Sequence, residues 1–206
     1  MIDDTLQRIS ADVRECTKCP LHQSRKNAVP GEGGGVAGIY FIGEAPGFHE
    51  NEQGRPFVGA AGQYLTELLA SIGLDRKTVW ITNVVRCRPP ENRDPLPVEI
   101  ASCDQYTERQ LAVLRPKVVV TLGRHAMARF LPGQSISRVH GQPRRRESLV
   151  IFPMYHPAAA LHQPSLRQEL AADFQKLAEF LERTPADEAA VPAAEEKPAT
   201  QIPLFG

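Results

Sequence analysis

The fold is decided around residues 43 to 62, which read GEAPGFHENEQGRPFVGAAG. A short apolar run, residues 39 to 42, ends abruptly at this stretch, which contains five glycines and two prolines. Glycine permits positive φ and a close approach of the backbone to a ligand, whereas proline restricts the chain. A connection that only joins a strand to a helix is usually much shorter. We therefore interpret residues 43 to 62 as an active-site loop that follows a buried strand.

Three further apolar runs lie after this loop. They cover residues 79–85, 117–122 and 149–155, and their length and β-branched content are typical of buried strands. Apolar residues at helical spacing separate these strands and predict helices near residues 63–72, 98–114, 125–131 and 165–183. Parallel strands need crossover connections, which such helices supply. The alternation predicts an α/β fold with three α/β/α layers around a central, mainly parallel, four-stranded sheet.

The length and composition favour one globular domain, which we expect over residues 1–183. The chain has 206 residues, of which 42% are hydrophobic, enough for one sizeable core. Residues 1–15 are acidic and amphipathic rather than continuously apolar, and no stretch approaches transmembrane length. We therefore expect a soluble, cytoplasmic monomer that does not bind membranes.

The charges alone do not identify a partner. Lys and Arg total 24, and Asp and Glu also total 24. Residues 184–206 hold four acids and one base, so the rest of the chain is mildly basic. That surplus is too small to establish nucleic-acid binding, and an ordinary solvated surface explains it equally well.

The four cysteines form one pattern. Cys16 and Cys19 are two residues apart in a C-x2-C motif, and Cys87 and Cys103 follow with fifteen residues between them. In a reducing compartment such cysteines are more often metal ligands or buried thiols than disulfides. Four thiolates from distant segments suit a structural zinc ion or a [4Fe-4S] cluster. The spacing does not decide between these, and four unrelated buried thiols are the remaining alternative.

Polar residues follow the predicted strands where each strand ends. The residues at or just after the ends of the four strands are, in chain order, Glu44, Asn83, Gly123 and His156. In open parallel sheets ligands bind at the carboxyl ends of the strands. Each side chain alone has an ordinary explanation, as a cap, a satisfied interior amide or a strand-end histidine. Their shared position favours a functional site.

Several segments together resemble one enzyme family. They are GEAPG at residues 43–47, GRPFVGAAG at 54–62, NVVRCRPPENRDP at 83–95 and HPA at 156–158. In this order they resemble the iron-sulfur uracil-DNA glycosylases, known as family 4. The resemblance covers roughly residues 10–182 and includes all four cysteines. Asn51 and Ala158 depart from the family pattern, which bears on hydrogen bonds of the loop rather than on the type of reaction.

The resemblance implies hydrolysis of the N-glycosidic bond of deoxyuridine in DNA after the nucleotide is flipped out of the helix. It implies that Glu44 acts on the water and the sugar, and that His156 donates to uracil O2. Phe57, which could otherwise belong to the core, would stack on the base, and Asn83 would read its O4/N3 edge. The backbone amides near Gly43 and Ala45 would add hydrogen bonds to the base. A glycosylase for another deaminated base, or a non-catalytic DNA- or clamp-binding protein, are the alternatives.

The same resemblance implies a cofactor and a DNA-binding surface. The four cysteines would hold a structural [4Fe-4S] cluster, with zinc as the alternative. Leu161 would act as a wedge in the minor groove. Arginines would contact phosphates, and the candidates are Arg86, Arg88, Arg93, Arg144, Arg145 and Arg146.

The C-terminal segment differs in composition from the rest. Residues 184–200 are rich in Ala, Pro and Glu, which predicts a disordered linker. The chain then ends in QIPLFG at residues 201–206, where Gln201, Leu204 and Phe205 resemble the QxxLF peptide with which bacterial proteins bind the DNA polymerase sliding clamp. An apolar end without function is the alternative, because such short motifs also arise by chance.

Overall fold

A six-stranded sheet forms the centre of the computed structural model, which describes residues 4–182 and 191–194. The strands are β1 (Glu32–Gly33), β2 (Ile39–Gly43), β3 (Trp80–Asn83), β4 (Val118–Leu122), β5 (Arg144–Arg146) and β6 (Leu149–Met154). Their order across the sheet is β1-β3-β2-β4-β6-β5. The inner strands β3, β2, β4 and β6 are parallel, and these are the four strands that the sequence predicts.

The predicted number of four strands is wrong because two short antiparallel strands, β1 and β5, extend the sheet at its edges. Neither carries an apolar pattern: β1 is two residues long and β5 consists of three arginines. The inner strands, by contrast, are buried on both faces. In β2, Ile39 and Phe41 contact one core cluster, and Tyr40 and Ile42 contact the other.

Helices cover both faces of the sheet and complete the three layers. They are α1 (Leu6–Glu15), α2 (Leu21–Ser24), α3 (Phe48–Gln53), α4 (Ala60–Ser71), α5 (Pro97–Leu114), α6 (Arg124–Phe130), α7 (Ile136–Val139), α8 (Pro157–His162) and α9 (Pro164–Leu181). One core cluster joins the sheet to α4, α8 and α9, and the other joins it to α5, α6 and α7. A third, smaller cluster contains α1, α2 and the cysteines. None of the described helices has the length and hydropathy needed to span a bilayer.

Residues 43–62 are not one continuous loop, because they contain α3 and the start of α4. The carboxylate of Glu50, in α3, holds the parts together. Its Oε2 accepts a hydrogen bond from the Gly47 amide at 3.1 Å, and its Oε1 accepts from the amides of Val58 and Gly59 at 2.8 and 2.9 Å. A carboxylate that accepts several backbone N–H groups forms stronger hydrogen bonds than a neutral acceptor does. Glu50 therefore fixes the shape of the stretch.

Arg76 fixes the turn at Phe57 from the other side. Its guanidinium donates to the carbonyl oxygens of Pro56 and Phe57 at 2.7 and 3.1 Å, and it also pairs with Glu32. Phe57 has a φ of 51°, which is unusual for a residue other than glycine. A Cβ atom at Gly62 would lie 1.8 Å from the Phe57 carbonyl oxygen, so only glycine fits there. These contacts stabilise an otherwise unfavourable backbone conformation beside the site.

Four residues of the predicted disordered linker are ordered against the sheet, which corrects that prediction for residues 191–194. Val191 is buried in the core, and Ala194 packs against the cluster on the opposite face. The Arg145 amide donates to the Pro192 carbonyl at 2.8 Å, and the Ala194 amide donates to the Arg145 carbonyl at 2.7 Å. The segment thus pairs in parallel with β5. The predicted clamp-binding residues 201–206 lie outside the described residues.

Candidate active site

A cavity of about 300 Å³ opens at the carboxyl edge of the parallel strands. Its walls include five of the predicted site residues: Glu44, Ala45, Phe57, Asn83 and His156. The register explains why they meet. Gly43 at the end of β2 pairs with Asn83 at the end of β3, and Leu122 of β4 pairs with Met154 of β6, two residues before His156. These residues therefore lie together at the carboxyl ends of the strands, where ligands bind in open parallel sheets.

Gly43 and Gly123 let the walls of the cavity come close. A Cβ atom at Gly43 would lie 2.5 Å from the Phe57 ring and 2.6 Å from Asn83 Oδ1. At Gly123, where φ is 89°, it would lie 3.0 Å from the Cβ of His156. Both glycines are thus required by the packing of the predicted site residues.

Asn83 and Phe57 offer a planar recognition surface. Asn83 is buried with 2% of its surface exposed, and its Oδ1 atom has no hydrogen-bond partner within the described residues. A buried amide without a partner is costly, so its presence points to a ligand that completes it. The Phe57 ring stacks on the imidazole of His156 with 5.6 Å between ring centroids and 27° between planes.

His156 is a neutral hydrogen-bond donor in this environment. It precedes α8, and its Nδ1 atom accepts from the Ala158 amide at 3.1 Å. That bond leaves the proton of a neutral imidazole on Nε2. Burial lowers the pKa of His156 to about 4, although the carboxylate of Glu50 opposes the effect. Near neutral pH the ring therefore donates through Nε2 without carrying a charge.

Glu44 follows β2 and lies near ionisable groups that the sequence analysis missed. Burial raises the pKa of the Glu44 carboxyl, and Asp94 adds to this effect, whereas His125 and Arg124 oppose it. His125 Nε2 lies 3.9 Å from Glu44 Oε2 and 3.2 Å from Asp94 Oδ2. His125 comes two residues after Gly123 at the end of β4, so the strand-end argument could have identified it. Asp94 comes from an irregular segment that gave no such signal.

The comparisons with known proteins agree with this geometry. The family model described as "Uracil DNA glycosylase superfamily" matches residues 30–182. The chain belongs to this superfamily. It is 48% identical over 187 residues to the "Type-4 uracil-DNA glycosylase" of Sulfurisphaera tokodaii, with 86% of this chain and 85% of the relative covered. The protein of the same name from Archaeoglobus fulgidus is 48% identical, with 86% of this chain and 94% of the relative covered. The one from Thermotoga maritima is 41% identical, with 88% of this chain and 97% of the relative covered. The resemblance to this enzyme family is thereby confirmed.

A second cavity of this uracil-DNA glycosylase superfamily member is lined by all four cysteines. Cys16 follows α1, Cys19 precedes α2, Cys87 follows β3 and Cys103 lies in α5, and all four thiols are free. Burial raises the pKa of the Cys19 and Cys87 thiols and raises that of Cys103 to about 11. Thiolates are therefore unfavourable there unless a cation binds them. Four cysteines around one mainly apolar cavity fit an iron-sulfur cluster, whereas the ligand atoms of the described residues that lie close enough together for a single ion are those of Glu44, Asp94 and His125.

Arg86 lies in the interior of the protein, which contradicts its predicted role as a DNA contact. Its side chain is 1% exposed and donates to the carbonyl oxygens of Asn83 and Val84 and to the side chains of Thr107 and Gln110. A phosphate cannot reach it without unfolding of the surrounding chain. The arginine-rich appearance of residues 86–93 was misleading, because this arginine is used inside the protein.

The other predicted DNA-binding residues occupy different parts of the glycosylase fold. Arg88 lies near the cavity, with its Nε donating to Asn92 Oδ1 at 2.8 Å and its guanidinium 5.4 Å from the Phe48 ring centroid. Leu161 is 38% exposed in α8, the helix that starts after His156. Arg144 and Arg145 lie in β5 instead.

The register places this pair of arginines away from the cavity. The residue opposite Arg144 is Ile151, five positions before His156 and therefore about 16 Å away along an extended strand. The structure does not bring Arg144 and Arg145 to the cavity. Arg93 lines it but pairs with the buried carboxylate of Glu99, and Arg146 donates to the backbone of α6.

Proposed function

We propose that the protein is a DNA-repair enzyme that hydrolyses the N-glycosidic bond of deoxyuridine in DNA, releasing uracil and leaving an abasic site. One observation carries this proposal: a single cavity combines the neutral donor His156, the carboxylate of Glu44 and the amide of Asn83, whose oxygen has no partner within the described residues. A base cannot reach such a cavity from inside a duplex. The nucleotide must therefore be flipped out, at a cost of about a few kcal/mol.

Uracil fits the donors and acceptors of this cavity. Asn83 Oδ1 would accept from uracil N3–H, and its Nδ2 would donate to O4. Cytosine presents an acceptor at N3 and a donor at N4, so a fixed amide would be mismatched with both and would reject it. Phe57 would stack on the ring, and the backbone amides near Gly43 and Ala45 would add hydrogen bonds to the base.

Bond breaking generates two charges that the protein would stabilise. The leaving uracil becomes an anion, and His156 Nε2–H would donate to its O2 atom. The sugar becomes cationic, as in other glycoside hydrolyses, and the Glu44 carboxylate would favour this cation and orient the attacking water. A neutral His156 suits this role, because its proton is fixed on Nε2 by the Ala158 amide.

Incubation with single- and double-stranded DNA that contains one uracil, followed by alkaline cleavage, tests the activity. We expect strand scission with the wild-type protein and a loss of several orders of magnitude in His156→Ala, with DNA affinity largely retained. Glu52→Gln is the control, because this carboxylate pairs with Lys26 at the surface of α3. DNA that contains hypoxanthine tests the alternative of another deaminated base. No scission by wild-type, metal-loaded protein would refute the proposed activity.

We also propose that Cys16, Cys19, Cys87 and Cys103 hold a [4Fe-4S] cluster. The cluster would be structural, because its ligands connect α1, the segment before α2, the loop after β3 and α5. Nothing in glycosidic bond hydrolysis calls for electron transfer. Iron and zinc analysis, together with visible absorbance, distinguishes the two metals. We expect brown protein with about four irons per chain. Colourless protein with one zinc would refute the cluster.

For DNA binding we propose that Arg88 contacts the phosphate backbone near the cavity and that Leu161 fills the gap left by the flipped nucleotide. Arg88 is supported by its place beside the cavity, and Leu161 by its exposure in α8. Arg144 and Arg145 would contact phosphates farther along the duplex. Leu161→Ala should reduce excision from double-stranded DNA more than from single-stranded DNA, and an equal reduction would reject the wedge.

The C-terminal peptide is proposed to bind the DNA polymerase sliding clamp through Gln201, Leu204 and Phe205. The resemblance of QIPLFG to the clamp-binding peptide supports this assignment. Removing residues 201–206 should abolish capture of the protein by immobilised clamp while leaving excision intact. Unchanged capture would contradict the assignment.

A further inference from the structure

Arg86 is a buried cation without an acidic partner in the part of the chain that the structure describes. Its guanidinium donates to the carbonyl oxygens of Asn83 and Val84, to Thr107 Oγ1 at 3.0 Å and to Gln110 Oε1 at 2.9 Å. All four acceptors are neutral, and no carboxylate of residues 4–182 or 191–194 lies within salt-bridge distance of it. The guanidinium cannot lose its proton inside a protein. A buried charge without a counter-charge is strongly unfavourable, so one is expected nearby.

The place for this counter-charge is the four-cysteine cavity. Arg86 immediately precedes Cys87 and forms part of the wall of that cavity. Its Nε atom is buried and has no hydrogen-bond partner within the described residues. A metal ion or iron-sulfur cluster bound by four thiolates carries a net negative charge. In a cavity of low dielectric, a cation on the wall interacts strongly with such a group.

Arg25 also lines this cavity and donates to Cys87 Sγ at 3.2 Å. We propose that Arg86 adds a second, fully buried positive charge that balances the metal–thiolate group, and that it is a positioning residue that connects this group to Asn83. This inference rests on the proposed metal site. The link to the active site is the hydrogen bond from the guanidinium to the Asn83 carbonyl. The bonds to Thr107 and Gln110 fix the same guanidinium to α5, which also carries Cys103. The metal site thereby stabilises the strand end that presents Asn83 to the base.

The charge balance predicts opposite effects of one substitution on two forms of the protein. Arg86→Met removes the cation and keeps much of the side-chain volume. In the metal-loaded protein it should speed release of the metal to a chelator by roughly tenfold or more, the usual size of such effects for residues around a metal site. In the metal-free protein it should raise the melting temperature, because it removes a buried charge that then has no partner. A purely structural arginine would lower the melting temperature of both forms.

A second variant separates charge from hydrogen bonding. Arg86→Lys keeps the cation but cannot donate to all four acceptors, so it should retain the metal better than Arg86→Met does. It should nevertheless raise the KM for uracil-containing DNA, because the Asn83 carbonyl loses its partner. If the bound group is an iron-sulfur cluster, Arg86→Met should also lower its midpoint potential, since a nearby cation favours the reduced form.

Arg129→Met is the matched control. Arg129 is also largely buried, but Asp104 and Glu108 balance its charge. Its replacement should leave metal release and midpoint potential unchanged, whatever it does to stability.

Equal metal release in wild-type, Arg86→Met and Arg129→Met proteins would overturn the inference. Purified wild-type protein that contains no metal would refute the proposed metal site itself, which distinguishes the two failures. If Arg86→Met does not fold, the comparison of Arg86→Lys with Arg86→Gln decides: equal metal release by these two overturns the inference.

Discussion

Replacing Glu50 by Gln tests how residues 47–59 are held in shape. The carboxylate accepts three backbone hydrogen bonds, from Gly47, Val58 and Gly59. Glutamine keeps one acceptor oxygen but presents an NH₂ group where the second oxygen stood. With Oε1 preserved, the bonds from Val58 and Gly59 survive without their charge, and the Gly47 amide then faces a donor.

The expected loss of stability follows from these three bonds. An amide left without its acceptor costs about 1–3 kcal/mol. Hydrogen bonds to a charged acceptor are roughly twice as strong as neutral ones, so weakening the other two adds about 1 kcal/mol. We therefore expect the free energy of unfolding to fall by about 2–4 kcal/mol. For a chain of this length that corresponds to a melting temperature lower by very roughly 5–15 °C, at about 2–4 °C per kcal/mol.

Calorimetric melting of the metal-loaded protein measures this change, and single-turnover excision measures its effect on the site. Glu52→Gln is the matched control, because Glu52 belongs to the same helix but its carboxylate pairs with Lys26 at the surface. Its replacement should change stability by less than about 1 kcal/mol. If Glu50→Gln and Glu52→Gln melt at the same temperature, the three bonds do not hold the segment as described.

Three further predictions concern the site. The rate of single-turnover excision should fall at acidic pH with a midpoint above the pKa of an ordinary glutamate, because burial raises the pKa of Glu44 and the reaction needs its ionised form. Glu44→Gln should remove this fall in rate. His156 is neutral down to about pH 4 and should not contribute to the profile above that pH. Gly43→Ala should reduce kcat/KM at least about tenfold with the fold retained, because the new methyl group would lie 2.6 Å from Asn83 Oδ1; unchanged kinetics would show that the wall can move. Arg88→Gln should lower the slope of log binding constant against log salt by about one, and an unaltered slope would exclude a phosphate contact.

The inner sheet and the main site could be predicted because their signals are local. Apolar runs of four or more residues predict the parallel strands, and the strand-end argument places Glu44, Asn83 and His156 together. The short edge strands could not be found in this way. Backbone pairing alone defines β5, whose three side chains are arginines.

The role of Arg86 was missed for a different reason. Its acceptors Thr107 and Gln110 lie more than twenty positions away in α5, and nothing in residues 83–95 indicates that one arginine of several points inward. Residues 191–194 have a composition typical of disorder, yet they pair with β5. In both cases the decisive partner is distant in sequence, so local patterns carry no information about it.

The pairing of residues 191–194 with β5 also sets a direction. The segment runs parallel to β5, and β5 runs antiparallel to β6, whose far end leads to His156. Residues 191–194 therefore run away from the mouth of the cavity. They also occupy backbone hydrogen-bonding groups of Arg145 in the edge strand β5, which would otherwise be open to pairing with another chain.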